Sequence, residues 1–469
     1  MTPMTPWAER FSTLTSAEIR ARATHIPQPL VGLNEKGVET AADELNAAFE
    51  QLFVPTAQTM ELLEEQVQIA LAHCLRAYPD LASFRRIVFD PDCAVPFPAS
   101  VAPICLTGPA GCGKSALITA LRRILGDLDS IVVGPGYPRF PLVPMWHLGV
   151  GERMSAAQLL GDLGAGIYIP EVPNRKSRRG QSSKEKRPVA TKVVVRKLVA
   201  NARRRAYQTG AAVLTADEFQ FATRSKDANT LLTLMLSVLS SVGLPLLFAA
   251  NYSLGHRLSL RPHEDRQRLL TQPRVLLPDA PDSLDWIATV EGHRNIAPEV
   301  FRFDPRELAA RLYVWTAGLK RCLRFLLVLA YRRARRANGI VNEKELEWAY
   351  NSVAYGVNRT DIKLILLQNA TGKIAEAKRR DLWCPFELPP SVVAETRRKA
   401  STRRVDEMKK LFLATALTRA ERQAYEEIQR AAEKDSARRA DVVPIRRGRT
   451  VTADDLRAGE AVFLSTKRK

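Results

Sequence analysis

Six cysteines in 469 residues, at Cys74, Cys93, Cys105, Cys112, Cys322 and Cys384, include no C-x-x-C pair. That excludes a zinc ribbon and gives no disulfide framework. The six histidines are equally dispersed, so no structural metal is indicated. No run of 18 uncharged apolar residues occurs, which argues against a membrane span. The opening "MTPMTPWAERFSTL" lacks a basic start followed by an apolar stretch, so it does not read as a secretory signal. A reduced, cytoplasmic protein is the expectation. Internal repeats are absent, as are Ser-His-Asp, Cys-His and clustered-carboxylate nuclease arrangements. Acidic residues are also in short supply: 50 against 70 Lys and Arg leave a net charge of +20. Nucleic acid is the first polyanion such an excess suggests, because counterion release drives binding to it. The length suffices for two or three domains with a sizeable core.

Against this background one stretch is rich in glycine. "LTGPAGCGKSALITAL" fits G-x-x-x-x-G-K-S/T from Gly108 to Ser115. "VAPICLTG" before it reads as a buried strand. "SALITALRRIL" after it has helical spacing, with Leu117, Leu121 and Leu125 on one face and Arg122 and Arg123 off it. Strand, glycine loop and helix form the context of a Walker A phosphate loop. Gly108, Gly111 and Gly113 are expected to take positive φ and let phosphate oxygens approach the backbone. The loop residues Gly108, Pro109, Ala110, Gly111, Cys112, Gly113, Lys114, Ser115 and Ala116 would then cradle a nucleotide, aided by the positive end of the helix. Lys114 supplies charge for the β- and γ-phosphates of ATP, and Ser115 a hydroxyl for Mg²⁺. Cys112 is read as a small filler.

A phosphate loop needs a metal-holding acid and a group that prepares water. "GAAVLTADEFQFAT" supplies both in the manner of a Walker B strand: an apolar run from Ala211 to Ala216 ends in Asp217 and Glu218. A buried parallel strand would carry them out at its C-terminal end, where α/β sheets place ligands. Asp217 would bind Mg²⁺ and Glu218 would orient and activate the attacking water. Further on, "LPLLFAAN" is another buried strand ending in Asn251, either a helix cap or a side chain that reaches the γ-phosphate or the water.

The chain divides into a mostly helical leader over 1–86, an ATPase core over 87–287, a helical lid over 288–371 and a charged, helical tail over 372–469. Within the core, 174–206 is a basic insertion with thirteen Lys and Arg and one Glu. Its first half reads as a flexible loop carrying Lys176, Arg178, Arg179, Lys184, Lys186 and Arg187, and its second half as a basic helix. Basic residues without interleaved aromatics suit phosphate contact rather than base reading, so double-stranded DNA bound with little sequence specificity is the expected partner.

Together these residues resemble an AAA+ ATPase, and more narrowly the TnsC/TniB group of ATPases that regulate transposition. "DEFQ" is similar to that group's D-E-x-Q motif, "SVGLPLLFAAN" to its sensor strand, and "WTAGLKRCLRFLLVLAYRRARRANGIVNEKELEWAYN" to its lid. "IRARATHIPQPLVGLNEKG" is similar to the lead-in of its longer members. The resemblance covers roughly 19–371 and implies a P-loop three-layer α/β core with a parallel sheet and a helical lid. It implies ATP and Mg²⁺ as ligands, slow hydrolysis, and Asn251 as first sensor. It implies a homo-oligomer, ring or helical filament, on DNA, with a transposase and a target-selection protein as partners. The chain itself does not read as the cutting transposase. Phe221 and Asn251 depart from the residues usual at their positions. AAA+ sites are completed by an arginine of the neighbouring subunit, for which "EDRQRLLTQPRVLLPD" offers Arg268, then Arg266, then Arg274. In the lid, Arg321 or Arg324 would meet the nucleotide, with helical spacing letting only one face it squarely. Arg153, by position in the family, is a further DNA candidate. The alternatives are another DNA-acting AAA+ ATPase of the helicase-loader or initiator type, and a nucleotide-gated scaffold with little turnover.

Overall fold

The apolar runs before the glycine loop and before the acidic pair lie inside a five-stranded, wholly parallel sheet. The computed structural model describes residues 5–90, 92–126, 129–150, 155–163, 192–217, 219, 228–371 and 377–387. Five leader helices come first: α1 (Pro6–Ser12), α2 (Ser16–Ala23), α3 (Val38–Gln51), α4 (Ala57–Ala77) and α5 (Leu81–Phe89). The core follows as β1 (Ile104–Gly108), α6 (Lys114–Leu125), β2 (Asp129–Val132), β3 (Arg139–Leu142), β4 (Met145–Gly149), α7 (Ala156–Asp162) and α8 (Lys192–Gln208). It continues through β5 (Val213–Asp217), α9 (Ala228–Ser240), β6 (Leu246–Asn251), α10 (Tyr252–Ser259), α11 (His263–Leu269) and β7 (Gln272–Val275). The lid helices are α12 (Leu284–Ile296), α13 (Pro305–Thr316), α14 (Lys320–Ala334), α15 (Glu343–Asn351) and α16 (Gly356–Thr371).

Across the sheet the order is β4-β5-β6-β1-β7, while β2 and β3 form a separate antiparallel pair. All five residues of β1 are buried, and β5 and β6 are buried up to their last residue. Parallel strands covered by helices on both faces have this continuous apolar pattern. The α/β class, the parallel sheet, the helical leader and the helical lid are as the sequence predicts. So is the basic helix, which is α8.

Two further strand regions complete the sheets. The apolar run Phe140–Trp146 is not one strand. Pro144 has no N–H for a ladder, and the Val143 N–H goes to Thr209 O (2.7 Å), so β3 ends at Leu142 and pairs with β2. The chain restarts as β4 and runs through His147–Gly149. The short β7 has no strand signal of its own. It contains Pro273, which an edge position tolerates.

The leader is bonded into both core and lid. Trp7, fully buried, stacks on Tyr78 (5.2 Å), and Tyr78 stacks on Tyr207 of α8 (5.0 Å). Each such aromatic pair adds about 0.5–1.5 kcal/mol beyond area burial. The α2–α6 contact is sealed by Arg123, which donates to Ala23 O (2.7 Å). Against the lid, Arg332 of α14 pairs with Glu39 of α3 (2.6 Å), and Arg335 donates to Leu33 O (2.8 Å) and Lys36 O (3.0 Å). Beyond α16, the described part of the tail is a short 3₁₀ stretch, Ala377–Leu382, and a loop packed on α10. There the His256 Nε2–H donates to Trp383 O (2.9 Å). These residues form no α-helix: Leu382, at the end of the 3₁₀ stretch, is partly buried against the core, and Pro385 in the following loop lies against Gly255.

Candidate nucleotide site

Because β6 lies between β1 and β5, three neighbouring strands deliver Gly108, Asn251 and Asp217 to one edge of the sheet. The glycine loop leaves β1 there and enters α6 at Lys114. Gly111 (φ 87°) and Gly113 (φ 109°) take the left-handed backbone that an L side chain resists. Gly108 does not, which corrects the expectation for that residue. Its requirement is steric: a Cβ there would lie 2.4 Å from Leu276 O, because the chain leaving β7 crosses directly beside it. Cys112 is buried among these groups as a filler.

Lys114 is only 8% exposed, and its Nζ donates to Gly108 O and Pro109 O, both at 2.9 Å. The two carbonyls hold the ammonium in the loop, and a phosphate at the loop would offer it stronger, charged acceptors. Ser115 follows at the first turn of α6. Lys114 and Ser115 line a cavity of about 560 Å³ together with Gly111, Gly113 and Ala116. Asp217 and Asn251 line the same cavity. Gly108, Pro109, Ala110 and Cys112 shape the loop without lining it. Asn251 occupies the N-cap position of α10, yet its side chain makes no cap hydrogen bond. The helix-cap role is therefore not the one it fills.

The lid closes the cavity with the first turn of α14. Lys320, Arg321 and Arg324 all line it. Arg321 and Arg324, the two lid candidates, are thus both at the cavity wall. Arg321 also touches the loop through its backbone, its N–H donating to Gly111 O (3.1 Å). Arg324 pairs with Glu50 of α3 (2.9 Å), another cavity residue.

The remaining wall has no counterpart in the sequence reading. Phe49, Leu52, Phe53 and Val54, at and beyond the end of α3, line the cavity with Thr289 and His293 of α12. No spacing rule ties residue 49 to residue 114; the only local signal is the apolar cluster in "FEQLFV". Burial pushes the His293 imidazole down to about 4, reinforced by Lys320 and Arg324, so it is neutral near pH 7.

The candidate arginines separate clearly. Arg274 pairs with Glu65 through Nε (2.9 Å) and a second guanidinium contact. Arg266 and Arg268 on α11 are exposed and do not line the cavity of their own chain. On the basic helix, Arg203 donates to Phe97 O (2.6 Å) and Pro98 O (2.8 Å), and Arg204 to Ile87 O (2.7 Å). These two charges tie α8 to the chain before β1 instead of facing outward. Glu218, Phe221, Arg153, Lys176, Arg178, Arg179, Lys184, Lys186 and Arg187 lie outside the described residues.

The residues present fit a magnesium nucleotide. A cradle with two positive-φ glycines and a buried ammonium suits phosphate, and Ser115 with Asp217 supplies the hard oxygen donors that Mg²⁺ takes alongside phosphate oxygens. Among the described residues no group of three or more His, Cys, Asp or Glu could hold a metal by itself. All six cysteines are free thiols, and no described helix is long and apolar enough to cross a membrane.

No protein-family model matches the chain, and no curated protein matches it. Solved structures do. The chain is similar to the Orc1 protein of Aeropyrum pernix, solved in complex with DNA, at 16% identity and TM-score 0.40 over 78% of this chain and 86% of that one. It is similar to C. elegans PCH-2 at 14% identity and TM-score 0.37, over 71% of this chain and 77% of that one. A Walker-type ATPase of Pyrococcus abyssi matches at 16% identity and TM-score 0.35, over 63% of this chain and 84% of that one. At such identities and TM-scores nothing about function passes from them to this chain.

Proposed function

We propose that this chain is an AAA+ ATPase that assembles with ATP on double-stranded DNA, recruits a transposase and a target-selection protein, and disassembles on hydrolysis. The observation that carries the nucleotide part is the single cavity that collects the glycine loop, Lys114, Ser115, Asp217 and Asn251 with three lid cations. Support for the DNA part is the charge of +20 and the basic stretch over 174–206. Support for a transposition role is the resemblance carried by "DEFQ", the lid and the lead-in. The division at 86/87, 287/288 and 371/372 belongs to the same proposal.

In this reading Lys114 and Arg321 hold the phosphates, and Ser115 and Asp217 hold Mg²⁺, which neutralises charge on the β- and γ-phosphate oxygens when bound. Glu218 accepts the proton of the attacking water, and Asn251 positions that water or the γ-phosphate. Arg268 or Arg266, exposed on α11, reaches the site of a neighbouring copy.

Two measurements test it. Binding to a random-sequence duplex is followed by fluorescence anisotropy with ATP, a slowly hydrolysed analogue, ADP or no nucleotide. Tight cooperative binding with the first two, lost with ADP, is expected; equal binding in all four states sinks the nucleotide-gated assembly. ATP turnover is then compared with that of Glu218→Gln. Equal inactivity of both would make the chain a scaffold and not an enzyme.

A further inference from the structure

Lid and core are joined by more than the chain that runs from β7 into α12. The tail residues 377–387, the 3₁₀ stretch and the loop after it, form a strap that touches both α16 of the lid and α10 of the core. Arg379 is its anchor on the lid. Asp381, within the strap, accepts from Nε and from one terminal nitrogen of that guanidinium, at 3.1 Å each. The other terminal nitrogen is thereby aimed at Asp361 of α16, to which it donates at 2.6 Å. A forked carboxylate pair fixes the plane of a guanidinium in this way.

The core side of the strap rests on Tyr252, Gly255 and His256, which share one face of α10 by their spacing. His256 Nε2–H donates to Trp383 O (2.9 Å), and the Tyr252 hydroxyl is hydrogen-bonded to the Cys384 thiol. Between them, a Cβ on Gly255 would meet Pro385 Cγ at 2.7 Å. Glycine within a helix is unfavourable relative to alanine, and here its bareness lets the strap lie directly on the helix backbone. The helix under the strap is the one that Asn251 begins. Tyr252, buried and next in sequence, interacts with the Cys112 thiol of the phosphate loop as well as with Cys384. Cys112 Sγ is in turn 3.8 Å from Lys114 Nζ. Cys384, Tyr252, Cys112 and Lys114 thus form a path from the strap to the phosphate loop.

We propose, resting on the nucleotide reading of the cavity, that the strap is a latch: it ties the lid to the helix behind the phosphate loop and so slows the release of bound nucleotide. A nucleotide held between the phosphate loop and α14 leaves when lid and core part. Because α16 packs on α13 and α15, it travels with the lid and carries Asp361 away from α10. A strap held at both ends must then lose the Arg379–Asp361 pair or peel off α10. Those contacts are broken on the way out and count against the release rate. None of the strap's described residues lines the cavity, so the strap acts on release without touching the nucleotide.

Two readouts on the full chain test this. Release of a fluorescent ADP is followed by stopped flow after displacement with excess ADP, and strap docking by the rate at which a thiol reagent labels Cys384, resolved by peptide mass spectrometry. Gly255→Ala favours the helix but pushes Pro385 away, so it should label Cys384 faster and release ADP roughly tenfold faster, the effect of about one hydrogen bond lost from the closed state. Arg379→Gln loses a partly exposed ion pair and should speed release by roughly three- to fivefold. The double variant should release no faster than Gly255→Ala alone, because a strap already off α10 no longer transmits the Arg379 bond. Faster labelling with unchanged release in Gly255→Ala overturns the latch, as do unchanged labelling and effects of the two substitutions that multiply. Wild-type protein that binds ADP but releases it at the variants' rate sinks only the latch, whereas no binding of any nucleotide sinks the nucleotide site together with it.

Discussion

Acid should destabilise this protein through His73, and the size of the effect follows from where that residue sits. His73 is 1% exposed on α4, neither ring nitrogen has a hydrogen-bond partner, and the ring packs against Phe97 (5.1 Å) and Tyr78 (6.3 Å). Burial first, then the nearby Arg76 charge, lower its pKa from 6.5 to about 4. The folded pKa lies below the unfolded one, so the unfolded chain takes the proton first. Stability is then full above about pH 6.5 and is lost as pH falls towards about 4. The whole shift corresponds to about 3 kcal/mol, of which about 2 kcal/mol is already lost at pH 5.0. Urea unfolding at pH 7.5 and 5.0 reads this directly when wild type is compared with His73→Leu, which has similar volume and nothing to protonate. Carboxylates titrate in both proteins and cancel in the difference. The variant should equal or exceed wild type at pH 7.5, because two unpaired nitrogens disappear, and should lose about 2 kcal/mol less on going to pH 5.0. Identical pH dependence in the two proteins would refute the buried, neutral histidine.

Other outcomes follow from the same contacts. Lys114→Ala should lose nucleotide affinity by roughly 100-fold or more, since charge-assisted contacts to phosphate vanish, yet stay folded by circular dichroism; an unfolded variant would mean that the loop is structural. Gly108→Ala places a Cβ 2.4 Å from Leu276 O, so β1 and β7 must separate locally. A loss of about 1–3 kcal/mol in urea unfolding is expected, with weaker nucleotide binding, and an unchanged midpoint would show that the crossing is loose. DNA affinity should fall with salt at a log–log slope of roughly −4 to −6 if about five to seven phosphates are neutralised. A flat salt response would remove the basic stretches as a DNA face.

The parts of the site that could be read from sequence are those that are contiguous in it. The loop from Gly108 to Ser115 states its own chemistry, because glycine placement, a lysine and a helix start suffice. Asp217 and Asn251 were legible because a buried parallel strand presents its last residue at the ligand edge, and the position of β6 between β1 and β5 puts both there. What could not be read is whatever depends on contacts between distant segments. Phe49 and His293 meet only because α3 packs on the lid. Arg274 looks like its neighbours Arg266 and Arg268 until Glu65 of α4 is seen to hold it. Arg203 and Arg204 belong to a run that reads as a DNA-facing surface, and only the fold shows their guanidinium groups against backbone carbonyls. Charge density in a sequence does not say which way a charge points.

The arrangement of charges in the cavity also bears on how nucleotide and conformation are linked. Four cations line it, Lys114 from the core and Lys320, Arg321 and Arg324 from the lid, against two carboxylates, Glu50 from the leader and Asp217 from the core. Glu50 already pairs with Arg324, so the positive excess is concentrated on groups next to the loop. In a partly enclosed, low-dielectric space such like charges repel across the core–lid boundary. A polyanion between them reverses the sign of that interaction and draws lid and core together. The boundary is also tight: the Arg321 N–H is bonded to Gly111 O, and a Cβ on Gly111 would meet the Arg321 Cβ at 2.7 Å. The phosphate loop is thus bonded to the start of α14, and α14 is paired with α3 through Arg324–Glu50 and Arg332–Glu39. Under the proposed function, the phosphates bound at the loop would act on lid and leader together through these contacts, the mechanical link a nucleotide-gated assembly needs.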